Sequence, residues 1–253
     1  MKSRLFLDTN VWYNKQECIE LSKTFCLVST AVNVLEISLS SKVKAKPKLV
    51  ENALKNILEF HTEHIAFEPV YYFIKNFNLP QKQKFEDYGA SASIDFVKNL
   101  LKNYDFKKLH LPSESKHALL KNGIISYHTF IKEIRGFPES NSFNKMNDEE
   151  KICLSLNDIL RSAKDMYQVD LNFLDKIYSE IMNKSNTRFN SFLKLSGLYL
   201  SEIYSGKDTA AANDRADLFQ IVYLENKDFY YTKENKIKRL IQEAKLNFLL
   251  DRI

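Results

Sequence analysis

Glycine and proline are scarce, with five of each in 253 residues. Tight turns are built largely from these two residues, so the supply is too small for a loop-rich all-β sandwich or barrel. Cysteine is scarcer still. Cys18, Cys26 and Cys153 are odd in number, far apart and free of any C-x-x-C pair, which argues against a disulfide framework and a zinc site and leaves reduced, buried thiols. No apolar run has the length of a membrane span, and Met1-Lys2-Ser3 leads straight into a strand-like segment without the apolar stretch of a secretion signal. The expected location is the cytoplasm. An excess of one charge is also missing: the net +5 divides into +2 for residues 1–44, +2 for 45–205 and +1 for 206–253, so no part is a basic tail. Such a balance allows nucleic-acid binding through local patches without requiring it.

What is abundant is apolar and helix-forming. An apolar share of 44% is ample for a core, and long runs rich in Lys, Leu, Asn, Ile and Glu read as helix. The chain should be mostly helical with a few strands. The stretch around which it is organised is Arg4-Leu5-Phe6-Leu7-Asp8-Thr9-Asn10-Val11. Leu5, Phe6 and Leu7 are apolar on both faces, as a strand buried between helix layers requires. Asp8 then stands at the carboxyl end of a central strand, the edge at which open α/β sheets bind ligands. It reads equally as a turn acid, with Thr9 or Asn10 able to cap the following helix.

A mixed, helical segment from Val11 to Thr24 precedes a second strand, Phe25 to Val28. Ser29-Thr30 then caps a helix over 31–39 whose apolar face includes Val32, Leu35 and Leu39, with Glu36 on its border. An acid placed there is an edge residue or a member of a site. Between Ser40 and Pro47 the composition turns polar and basic, with Lys42, Lys44, Lys46 and Lys48 alternating, and a boundary is expected. Helices should follow over 49–64, 70–76, 85–103, 113–134, 148–167, 171–183 and 188–204, with no internal repeat. His61 and His64 lie one helical turn apart and could hold a metal, but no third ligand is spaced to join them. Aromatic and basic residues interleave from Tyr71 to Lys108, a mixture that suits single-stranded nucleic acid; core aromatics and solvated lysines explain it more simply. Asp148-Glu149-Glu150 follows Asn147 at a helix start, where acids complement the dipole.

The end of the chain repeats the pattern of its beginning. Asp208 or Thr209 can cap a helix running to Leu224, on which Asp214 and Asp217 share a face. Asp228 to Thr232 is β-prone, and Glu234 precedes a last helix over 236–250, much as Asp8 precedes the first. If the strands are parallel neighbours, Asp8, Glu36, Asp217 and Glu234 converge. Carboxylates at close range raise one another's pKa, and hard divalent ions such as Mg²⁺ or Mn²⁺ relieve the repulsion through oxygen ligands. A site of that kind activates water and clamps a phosphate.

In order, these segments resemble the motifs of the PIN-domain nucleases. Leu5-Phe6-Leu7-Asp8-Thr9-Asn10 resembles the family's opening strand with its first metal acid. Ser29-Thr30-Ala31-Val32-Asn33-Val34-Leu35-Glu36 resembles the second motif, with Glu36 as the acid. Asn213-Asp214-Arg215-Ala216-Asp217-Leu218-Phe219-Gln220-Ile221 resembles the third, with Asp217 as ligand and Asp214 assisting, and Tyr230-Tyr231-Thr232-Lys233-Glu234 resembles the closing strand-Thr-x-acid motif. The resemblance implies an α/β fold, a PIN-like three-layer α/β/α sandwich around a parallel sheet, formed by residues 1–44 and 206–253. Residues 45–205 are then a mostly helical insertion, part completing the core and part accessory, the accessory part a lid, a substrate platform or a contact for a homo-oligomer or regulatory partner. It implies a Mg²⁺- or Mn²⁺-dependent endoribonuclease acting on RNA, with Asp8, Glu36, Asp217 and Glu234 catalytic, Asp214 adding to the metal set, and Thr9, Asn10 and Thr232 supporting. The departures are Glu234, where the family usually has Asp, and the insertion, where it has a short connection. A DNA-cleaving or structure-selective nuclease in defence, and a non-catalytic RNA-binding scaffold, are the alternatives.

Overall fold

The computed structural model describes residues 2–40, 42–77, 93–103, 143–209, 214–225 and 227–250. The expected helices over 113–134 and the first part of 85–103 lie outside these, as do residues 210–213. Among the described residues the fold is α/β, with a four-stranded parallel sheet ordered β3-β2-β1-β4. Strand β1 (Arg4–Leu7) lies inside, between β2 (Cys26–Thr30) and β4 (Phe229–Tyr231), in register Leu5↔Leu27 and Leu5↔Phe229. The edge strand β3 (His61–Ile65) pairs with β2.

That strand corrects the sequence reading, which carried a helix through His64. Helix α5 (Pro47–Phe60) ends at His61, whose φ of −65° and ψ of 137° turn the chain into an extended run. His61 and His64 therefore do not share a helical face. The His61 Nδ1 lies 2.5 Å from the Ile57 carbonyl oxygen and the His64 Nδ1 2.7 Å from the Ser29 hydroxyl. The imidazoles thus have structural partners, and among the described residues no group of three or more His, Cys, Asp or Glu side chains is arranged to hold a metal ion.

Successive strand residues point to opposite faces, and the sheet accordingly divides two cores. Leu5, Leu7 and Leu27 pack with α1 (Thr9–Trp12), α2 (Lys15–Thr24), α3 (Ala31–Leu39), α5 and α7 (Ile94–Asn103). Phe6, Val28 and Tyr230 pack with α6 (Pro69–Lys75), α8 (Asp148–Tyr167), α9 (Leu171–Met182), α10 (Asn190–Tyr204), α11 (Asp214–Gln220) and α12 (Asn235–Glu243). α4 (Lys42–Ala45) leads into α5, which begins with Pro47. Pro suits a first helical turn because its missing N–H has no intrahelical acceptor there. α8 starts from a capping box in which Asn147 accepts from the Glu150 N–H and Glu150 accepts from the Asn147 N–H, in line with the reading of its acidic first turn.

Three further details refine the reading. The buried face of α3 includes Val32, as expected, and extends to Asn33, Val34 and Ile37, because the helix sits where both cores meet: Val34 and Ile37 join one and Val32 the other. Tyr72, Phe73 and Phe77 are buried core residues, in line with the simpler reading of the interleaved aromatics, and Phe96 packs against the core; Phe85, Tyr88 and Tyr104 lie outside the described residues. The last two expected helices are each shorter, with 3-10 turns at Ile221–Tyr223 and Asn247–Leu249. Cys18 is buried, Cys26 and Cys153 are half-buried, and all three are free thiols. No described helix is long and apolar enough to cross a membrane.

Candidate active site

Where β1 stops, Asp8 caps the short helix α1, its Oδ1 accepting from the Asn10 N–H at 3.3 Å. The capping role is therefore real, and it is half of what Asp8 does. Its N–H donates to the Tyr231 carbonyl, which extends the β1–β4 pairing by one residue and brings Thr232 alongside. The buried Thr232 hydroxyl donates to Asp8 Oδ2 at 2.7 Å and accepts from the Glu234 N–H at 3.0 Å. One hydroxyl thus links the acid after β1 to the backbone of the acid after β4.

The next two residues reach two further acids. Thr9 Oγ1 donates to Glu36 Oε2 on α3 in a short hydrogen bond, and Asn10 Nδ2 donates to Glu234 Oε1 at 3.1 Å. Thr9 therefore serves Glu36 with its hydroxyl and Asp8 with its amide. Asp217 lies on α11, buried near all three. Burial, followed by the charges of Glu36, Asp8, Glu234 and Asp214, pushes its carboxyl up to about 9. Burial pushes Glu36 up to about 7 against the hydrogen bonds from Thr9 and Gln220, with the Asp8 charge adding to the rise. Burial also raises Asp8, opposed by Thr232 and the amides of Asn10 and Thr9. Asp214, although three residues from Asp217, has different company: its Oδ2 accepts from Tyr199 at 3.0 Å and from Lys236 at 2.8 Å.

Two residues central to this arrangement escaped the sequence reading. Asn33, fully buried, accepts from the Thr30 N–H and hydroxyl and donates to Leu7 O, Thr9 Oγ1 and Gln220 Oε1 at 3.1–3.2 Å. Gln220, also buried, donates from Nε2 to Thr9 Oγ1 at 3.1 Å and Glu36 Oε2 at 3.2 Å. Glu36 Oε2 is thereby held by two donors. The signal for Asn33 was its place three residues after Thr30, the spacing of a capping box, and that box forms. Gln220 follows Asp217 by three and so lies on the same side of its helix. The Tyr230 hydroxyl is buried without a hydrogen-bond partner among the described residues, on the sheet face that carries Phe6.

The fold and this constellation define a parallel α/β protein with carboxylates gathered at the carboxyl edge of its central strands. No protein-family model, curated protein or solved structure matches the chain.

Proposed function

We propose that the chain is a metal-dependent phosphodiesterase with a PIN-like α/β/α core, cleaving RNA endonucleolytically. The observation that carries this reading is that three consecutive residues, Asp8, Thr9 and Asn10, bring together carboxylates from three separate elements: Asp8 itself, Glu36 through Thr9, and Glu234 through Asn10. Buried carboxylates that raise one another's pKa form a donor set whose chemistry fits a hard divalent cation. Asp8, Glu36, Asp217 and Glu234 would hold Mg²⁺ or Mn²⁺, with Asp214 beside them. Such an ion supplies activation of water and neutralisation of phosphate charge. The chain's own contribution is placement. Thr9 and Gln220 fix one oxygen of Glu36, Thr232 and the Asn10 amide fix both of Asp8, and Lys236 holds Asp214.

A second reading, a non-catalytic nucleic-acid-binding module, is favoured by the lack, among the described residues, of any three such side chains arranged to hold an ion. One experiment separates the two. End-labelled single-stranded RNA and DNA are incubated with the protein and Mn²⁺, with EDTA, and with Asp8→Asn. The nuclease reading expects RNA cleavage that is lost with EDTA and in the variant, and a melting temperature that rises with Mn²⁺. A hundredfold excess of Mn²⁺ over its Kd adds about 2.7 kcal/mol, a rise of roughly 5–10 °C for a chain of this size. Neither cleavage nor a Mn²⁺-dependent rise would leave the binding module; cleavage of DNA alone would change the substrate and keep the site.

A further inference from the structure

The rim of the carboxylate site is charged unevenly. On the side of β4 and α12 three cations are matched and stand among acids: Lys233 meets Glu17 at 2.5 Å, Lys236 meets Asp208 at 3.1 Å and Asp214 at 2.8 Å, and Arg239 meets Glu202 at 2.8 Å and Glu243 at 3.0 Å, which leaves Lys238 as the one lysine of α12 in no ion pair among the described residues. The side of α3, α4 and α5 differs. From Ile37 to Val50 the sequence holds four lysines and no acid, and Lys42, Lys46 and Lys48 enter no ion pair among the described residues. Lys46 and Lys48 are exposed, and the Lys42 ammonium lies 4.2 Å from the centre of the Tyr13 ring. Lys46 is the N-cap of the 14-residue helix α5, and no side chain caps that helix. The partial positive charge of its first turn therefore adds to that of the lysines.

This cationic segment is tied to the site by three connections. Ser40 is four residues beyond Glu36, one helical turn further along α3 and about 6 Å away, and its Oγ accepts from the Lys42 N–H at 3.1 Å. Tyr13, under Lys42, ends α1, the helix whose Thr9 holds Glu36. Asn56 of α5 donates to the Trp12 carbonyl of α1 at 2.8 Å, in the buried core.

We propose that residues 42–48 form a phosphate track that lays the backbone of a single-stranded nucleic acid across α4 and the start of α5, leading to the carboxylates. A polyanion is repelled by clustered acids and needs cations beside them, and this is the side of the rim where described lysines cluster in a segment that holds no acid. A track on one side engages one row of phosphates, as a single strand presents, whereas a duplex presents two. That the strand is delivered for cleavage rests on the nuclease reading; that it binds here does not.

The test is fluorescence anisotropy with labelled twelve-nucleotide oligo(U) and oligo(dT), in EDTA so that no cleavage occurs, across a salt series. Lys42→Ala/Lys46→Ala/Lys48→Ala is compared with the wild type and with the control Lys164→Ala/Lys227→Ala/Lys245→Ala, which removes equal charge elsewhere. The track triple is expected to weaken binding at least tenfold at 0.1 M salt and to flatten the log–log salt slope by about 2, three phosphate contacts at about 0.7 each for single strands. The control should keep the wild-type slope, and both triples the wild-type melting temperature. Equal losses in the two triples, no loss in the first, or no binding by the wild type would each overturn the proposal. Because EDTA removes the chemistry, lysine-dependent binding without metal-dependent cleavage would refute the nuclease and keep the track.

Discussion

At Gly197 the backbone of one helix closely approaches that of another, and replacing it with alanine sets two effects against each other. Gly197 lies mid-way along α10, and a Cβ built on it would sit 2.0 Å from the Lys151 carbonyl oxygen, 2.5 Å from its carbon and 3.1 Å from its Cα on α8. Comfortable carbon–oxygen contacts are about 3.3–3.6 Å, so the helices must part by more than about 1 Å. No side chain can swing aside, since the obstacle is main chain. Overpacking of this kind costs about 1–3 kcal/mol, at the upper end when backbone must move, and the separation weakens dispersion along an interface lined by Leu156, Ile159, Leu193 and Leu200. Against it, alanine gains about 1 kcal/mol of helix propensity over glycine. The clash wins by about 2 kcal/mol, which lowers the melting temperature of a chain this size by roughly 4–8 °C. Thermal melts followed by circular dichroism, with a urea midpoint at unchanged slope, measure it. A variant as stable as the wild type or more so would refute the reasoning, for that is what propensity alone gives. The shift also reaches the site, because Tyr199, two residues along, holds Asp214.

The raised carboxyl of Asp217 makes a pH prediction. A folded pKa of about 9 against an unfolded value near 3.8 means that this group's contribution is fully present below about pH 4 and is lost as pH climbs towards 9. In EDTA, Asp217→Asn should therefore gain stability relative to the wild type steadily from pH 5 to pH 8; a melting-temperature difference that stays flat over that range contradicts it. Gln220→Leu removes two donors, to Thr9 and Glu36, and the acceptor of Asn33 inside the core. The expected loss is about 1–3 kcal/mol, read from urea denaturation, together with weaker Mn²⁺ stabilisation than the wild type shows. Gln220→Glu restores the acceptor but not the donors, and should leave Mn²⁺ stabilisation impaired.

Much of this site could be read in one dimension. Leu5, Phe6 and Leu7 announce a strand buried on both faces because nothing polar interrupts them, and the strand must end at Asp8. The acids after the first and last strands then fall together once parallel pairing is assumed, and the register Leu7↔Tyr231 places them so. The edge strand β3 was invisible because only Ile65 of its five residues is buried; without an alternating face it looks like the end of α5. The Asn33–Gln220 contact joins residues 187 positions apart, and no local pattern marks a buried amide that serves a distant partner. Asp214 was grouped with Asp217 on spacing and on the resemblance of its segment, neither of which could show that Tyr199 and Lys236 would claim it.

The position of β1 inside the sheet also governs how the molecule comes into being. One of its two neighbours arrives early, but the other, β4, is supplied from 224 residues downstream of Asp8, the separation between that acid and Thr232. At ribosomal rates of about 5–20 residues per second that interval lasts roughly 10–45 s. Throughout it the nascent chain has an open edge on its central strand and Asp8 without Thr232, so whatever the carboxylates do is withheld until β4 has been made. Joining the sheet's last strand and completing the site are one event.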